Sequence, residues 1–201
     1  MAIKRAKLPI AYSEGFNPHQ LLSFALPLSL GYHSNGEYLD IALAEPRDCK
    51  EIVDSLNNSM PEGIKIIAAA RMPNNSKSSA SIVSACAYRV VFPEKYGIQQ
   101  TAAQEFIAQK QITISKKTKK NVSDVDIAPD ILEFSPKVRG DLVEELWLKI
   151  SAGPNRSVRA DSVVKALFAF AGMEYPEHGL DYVREEMYTG VKAETPMFSA
   201  R

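Results

Sequence analysis

Nine consecutive residues, Tyr12-Ser-Glu-Gly-Phe-Asn-Pro-His-Gln20, hold the densest set of groups able to do chemistry. Gly15 permits a positive φ and Pro18 fixes its own φ, and Asn17, standing before a proline, is pushed toward an extended conformation. On that stiff frame Tyr12, Ser13, Glu14, Asn17 and His19 project hydrogen-bonding groups, and Phe16 offers an aromatic face. A stacking aromatic beside polar hydrogen-bonders is how single-stranded RNA is commonly held. His19 titrates near neutral pH, so it is also a candidate general base for metal-free RNA cleavage, with Tyr12 or a lysine assisting and Glu14 nearby. Ser13, Glu14 and His19 are the residue types of a triad, but a triad is defined by geometry rather than sequence proximity. The plainer reading is an Ω-loop whose polar side chains cap its own backbone.

Two further segments carry charge. Lys110 to Lys120 holds five lysines and no acid, while Ser123 to Glu145 holds seven acids against two bases. Lys116, Lys117, Lys119 and Lys120 are therefore candidate phosphate contacts, or else the lysine guard of a solvated edge strand. Arg156 and Arg159, in Gly153-Pro-Asn-Arg-Ser-Val-Arg159, precede a helix start, where free backbone N–H groups attract anions. The spacing is not that of a Walker motif, and an ordinary strand-to-helix turn is the plainer reading of the segment.

Positioning these groups requires elements on both sides of a polar break, Met72 to Ser81. Before it, Ala2–Lys7 reads as a helix tail stopped by Pro9. Strands follow at Leu21–Leu28 and at Glu37–Ala44, where Leu39, Ile41 and Leu43 alternate onto one face. Asp48 with Glu51 three residues on has capping-box spacing, and the helix it starts runs to the Pro61–Gly63 turn. Ile64–Ala70 is the next expected strand. After the break come a strand at Ala87–Phe92, a helix at Ile98–Gln109 and a strand at Gln111–Lys117. Pro129 and Pro136 interrupt Asp124–Val138. A strand at Glu145–Ser151, a helix at Ala160–Ala171 stopped by Gly172, and a strand at Tyr182–Tyr188 complete the order.

That order predicts an α+β fold of two tandem ferredoxin-like (split βαβ) units with antiparallel sheets, the first lacking its opening strand. The expected units are residues 1–75 and 84–201, joined by a linker at 76–83. The chain has 201 residues, 45% hydrophobic and 24% charged, with 24 basic and 24 acidic side chains and no net charge. A whole-surface electrostatic grip on nucleic acid or membrane is excluded by that balance, so any such grip must be local. Cys49 and Cys86 are too few for a disulfide framework or metal cluster, and the three histidines show no ligand spacing. No metal or cofactor is expected of this chain. Pro27 breaks the apolar stretch Leu21–Leu30, which is too short to cross a bilayer, so a cytoplasmic protein without a membrane partner is expected.

Several segments resemble a bacterial radical-SAM-associated (radical-SAM-linked) family of unknown function. They are Leu8-Pro-Ile-Ala-Tyr-Ser-Glu-Gly-Phe-Asn-Pro-His19, Ser23-Phe-Ala25, Pro27-Leu28, Glu37-Tyr38 and Pro61-Glu-Gly-Ile64. The resemblance spans essentially the whole chain, and Gly15-Phe-Asn-Pro-His19 is its most specific part. It implies a companion or fused module of radical S-adenosylmethionine proteins, a setting of RNA metabolism or modification. It also implies a chain that starts about one strand and most of a helix late. Asp126-Ile-Ala-Pro129 departs from the family's Asp-Ile-Arg-Pro.

The expected function is an accessory module that binds RNA or positions substrate for a radical-SAM partner. The alternatives are a metal-independent RNA-processing nuclease and a pure protein–protein adaptor. The short start further predicts an incomplete first sheet, open to a homodimer or to repair by the tail after Gly190.

Overall fold

The computed structural model describes residues 2–73, 75–117, 122–154, 156–190 and 192–200. The elements before the polar break are short. Helix α1 (Ala2–Arg5) is followed by strands β1 (Leu22–Phe24), β2 (His33–Ser34) and β3 (Leu39–Ile41). Asp48 caps helix α2 (Cys49–Asn57), its Oδ1 accepting from the backbone N–H groups of Lys50 and Glu51 at 2.9 and 3.3 Å. Helix α3 (Ser79–Ile82) then runs directly into β4 (Val83–Val91). Beyond it lie β5 (Ile98–Gln99), α4 (Gln100–Ile107), β6 (Thr113–Lys117) and β7 (Val122–Asp126). They are followed by β8 (Ile131–Arg139), β9 (Leu142–Ser151), α5 (Ala160–Phe170), β10 (Asp181–Thr189) and β11 (Thr195–Pro196).

The long strands lie in the order β10-β4-β9-β8, every neighbouring pair antiparallel. Period-two alternation sends Leu146, Leu148 and Ile150 of β9 and Cys86, Tyr88 and Val90 of β4 into the core. There they meet Val163, Val164, Leu167 and Phe168 of α5 and Phe106 of α4. Each fully buried side chain of this size contributes about 1.5–3 kcal/mol, so this layer dominates the stability of the molecule. Pro136 stands in β8, an edge strand where its missing N–H is tolerated. The ambiguous stretch before it divides into β7, a 3₁₀ turn at Ala128–Asp130 and β8.

The mixed α+β class is as expected, and so is a first half whose described strands form no four-stranded sheet of their own; which strands it builds, and what they pair with, differ from the sequence reading. β1 and β3 pair only with each other, and β2 runs parallel to β10 as part of the larger sheet. Ile64–Ala70 is not a strand, because no neighbouring strand satisfies it; Asn57 alone brackets the backbone of Ile66, with bonds of 3.0 and 2.8 Å. The expected strand at Gln111–Lys117 is half of a separate hairpin, β6–β7. The tail does not repair the first half. Its β11 pairs with the end of β10, Thr195 opposite Thr189.

Candidate functional site

The loop at Tyr12–Gln20 is an exposed hairpin tied at its base. Tyr12 and Gln20 form a β-bridge, and the Ser13 N–H donates to the His19 carbonyl at 2.9 Å. Ser13 Oγ lies 2.8 Å from His19 Nδ1 and accepts from the His19 backbone N–H at 3.1 Å. Gly15, at φ +113°, makes the turn at the tip, a conformation that side chains with a Cβ rarely adopt. Beside it Phe16 is fully exposed, at 106% of its reference area, with Tyr12 more than half exposed. Glu14 and Asn17 are also exposed and make no side-chain hydrogen bond to another described residue. The hairpin therefore joins Ser13 to His19 and leaves Glu14 without a role in orienting the imidazole. This pairing can hold a loop in shape, and it presents an aromatic tip to a partner.

Downstream of the hairpin, Phe24, Leu26, Pro27, Leu28 and Glu37 line a groove of about 460 Å³. Two of its lining residues, Pro27 and Glu37, are held by Arg184, which is only 3% exposed on β10. Arg184 donates to both carboxylate oxygens of Glu37 at 2.9 and 3.2 Å, to the Pro27 carbonyl at 2.8 Å and to the Tyr88 hydroxyl at 3.3 Å. Ser34 Oγ donates to Glu37 at 2.6 Å. Burial by itself would lower the Arg184 pKa, but Tyr88 and Glu37 outweigh it and hold the guanidinium charged. Burial likewise pushes the Tyr88 hydroxyl up to about 12 and the Cys86 thiol up to about 11, so both are neutral and neither is a nucleophile.

Two more bonds attach this segment to β10. Asn35 Nδ2 donates to Glu185 at 2.7 Å, and the Tyr38 hydroxyl donates to Glu186 at 2.6 Å. Between them Gly36 passes so close that an added Cβ would lie 2.7 Å from the Glu185 carbonyl oxygen. None of these groups was a candidate site residue in the sequence, where Pro27 and Glu37-Tyr38 entered only as segments of the family resemblance. The sequence masks the pairing: Arg184 is followed by Glu185 and Glu186, a charged run that reads as a solvated face, and only its burial shows that a partner carboxylate is required.

The charged candidates are placed apart from the hairpin in sequence, and the two arginines among them are committed to carboxylates. Arg156 Nε lies 2.6 Å from the buried Asp130, and Arg159 makes a two-pronged contact with Asp161 at 2.9 and 3.0 Å. Lys116 is exposed on β6, whose partner strand carries Asp124 and Asp126. Lys117 belongs to β6 by its backbone, while Lys119 and Lys120 lie outside the described residues. Among the described residues no three His, Cys, Asp or Glu side chains gather as a metal-holding group. No described helix is long and apolar enough to cross a membrane.

A family model whose description is an uncharacterized protein conserved in bacteria matches residues 1–160, which include the hairpin, the groove and most of the sheet. No curated protein matches the chain.

Proposed function

This chain belongs to DUF2344, a family of uncharacterized proteins conserved in bacteria, and from that premise we propose that it is an accessory module that performs no reaction itself. Its partner is a radical-SAM protein, the class implied by the resemblance around Gly15-Phe-Asn-Pro-His19. The hairpin tip and the groove of the first half dock that partner, and the four-stranded layer is the scaffold behind them. The observation that carries this reading is the placement of apolar surface. Tyr12, Phe16, Leu21, Phe24, Leu28 and Leu30 are all exposed within nineteen residues of chain, on one short run of sequence.

The finer reading of the fold rests on the same division. The order β4, α4, β8, β9, α5, β10, with strands arranged β10-β4-β9-β8, supports a ferredoxin-like unit over residues 84–201. Residues 1–75 are then an incomplete counterpart joined through 76–83.

RNA binding is the second reading, and the fully exposed Phe16 favours it as a stacking platform. It is weakened by Arg156 and Arg159, whose charges are already matched by Asp130 and Asp161. Nuclease action by His19 is weaker still, because Ser13 is its only described side-chain hydrogen-bond partner.

Affinity capture with the tagged chain from its native bacterium distinguishes these readings. The docking account expects a radical-SAM protein to be retained through washes of rising salt. Retained RNA that is lost as salt rises supports the second reading. Cleaved RNA, absent with His19→Ala, supports the nuclease. Recovery of none of these overturns the proposal.

A further inference from the structure

The two edges of the four-stranded layer are finished differently. β10 carries β2 at Val183 and Arg184 and β11 at Tyr188 and Thr189, whereas among the described strands β8 pairs with β9 alone. The ladder fixes which way the backbone of β8 points. The Phe92 N–H donates to Glu144 and the Ala152 N–H to Ser84, both in the β4–β9 register, so the even-numbered residues of β9 turn their backbone groups to β4. The odd-numbered Glu145, Trp147 and Lys149 turn theirs to β8, opposite Lys137, Ser135 and Glu133. Phe134 and Pro136 alternate with these. The Phe134 N–H and the carbonyls of Phe134 and Pro136 therefore face away from β9, where they bond no described residue.

That open edge is one bank of a groove of about 340 Å³. The other bank is α4, whose Gln100, Gln104 and Ile107 fall at i, i+4 and i+7 and so share a helix face. Neither glutamine side chain bonds another described residue, unlike Gln109 just past the helix, which donates to the Phe106 carbonyl at 3.0 Å. Among the described residues no charged side chain lines the groove. A free N–H, two free carbonyls and two carboxamides are the complement of a polypeptide main chain, since a carboxamide donates and accepts as a peptide group does. We infer that this groove takes an extended, uncharged segment of another protein, which adds to β8 as a further strand. Such a segment accepts from the Phe134 N–H and donates to the carbonyls of Phe134 and Pro136, and the glutamines bond its opposite edge. An apolar side chain of the segment packs between Ile107 and Phe134. A second β8 does not complete the edge. Antiparallel pairing about Phe134 would set Pro136, which has no N–H, against Leu132, which lies at a break in the register. The groove shares no residue with the hairpin or the first-half groove, so this inference stands whichever partner those dock.

The probe is a heptapeptide of alternating valine and threonine, a composition that favours the extended state, with a fluorophore on its N-terminus and an amide at its C-terminus. Anisotropy of this probe, titrated with the purified chain, should show saturable binding. Gln100→Ala with Gln104→Ala, both to the best helix former, should weaken it by about tenfold or more with the melting transition unchanged. Hydrogen exchange read by NMR locates the probe. The Phe134 N–H should exchange fast in the free chain and slow by about tenfold or more with peptide bound, while the N–H groups of Ser135 and Lys137 stay protected throughout. Absence of saturable binding overturns the inference. So does binding that leaves the Phe134 N–H unprotected, or binding indifferent to the glutamine substitutions. A Phe134 N–H already protected in the free chain and released on dilution would mean that a second copy occupies the edge, which overturns it as well.

Discussion

Among the described residues, the chain from Val83 onward contributes 27 of the 30 buried hydrophobic residues, whereas residues 12–67 contribute eight of the eleven large exposed ones. The first half buries only Ile10, Ala25 and Leu56 at that level. The two regions also differ in what holds them. β4, β9, α4 and α5 share one apolar core; residues 27–38 reach that core through Tyr32, stacked on Tyr182, and are further attached to β10 by the polar pairs Arg184–Glu37, Asn35–Glu185 and Tyr38–Glu186. Apolar burial is non-directional and tolerates repacking, but polar straps demand particular partners. The difference teaches that the second half supplies stability and the first half supplies a positioned surface.

The largest effect should follow from a cut in the shared core. Phe168→Ala, at a fully buried position of α5, is expected to cost about 3–5 kcal/mol in denaturant unfolding. A much smaller loss would mean that the core does not carry the molecule.

A cut in the straps should come next. Arg184→Met leaves Glu37 without its cation, and because that carboxylate is 34% exposed the cost falls to about 2–3 kcal/mol, at the lower end of broken buried pairs. Hydrogen exchange should then speed up across residues 22–44 while β4 and β9 stay protected. Uniform loss of protection would join the two regions into one cooperative unit.

Alkali should act on the second half. The Cys86 thiol is raised from 9.0 to about 11, chiefly by burial. Between those values the unfolded chain has released the proton and the folded chain has not, so stability falls as pH rises. The slope reaches about 1.4 kcal/mol per pH unit. Cys86→Ala should flatten that stretch of the stability profile, and an unchanged slope would place the titration elsewhere, with Tyr88 the next candidate.

How much of this was legible in the sequence follows the same division. The strands at Glu145–Ser151 and Tyr182–Tyr188 and the helix at Ala160–Ala171 have apolar periods that match their burial, so pattern and packing agree. Asp48 announced its helix by a local bond that needs nothing distant. Ile64–Ala70 has the composition of a strand and lacks one, because pairing is a property of neighbours and none is present. The groove was hidden for a related reason. Glu37 and Arg184 stand 147 residues apart, and only the parallel docking of β2 on β10 brings them together. Phe16 and its hairpin were visible because glycine, proline and a cluster of polar residues mark a built loop in any context.

The most direct test of the central claim is a paired measurement on Phe16→Ser combined with Leu30→Ser, two of the most exposed apolar positions. The expected result is a melting temperature unchanged, within about 0.5 kcal/mol of wild-type stability, together with loss of the partner capture expected of the wild-type chain. A large fall in stability, or retention undiminished by the double substitution, would contradict it.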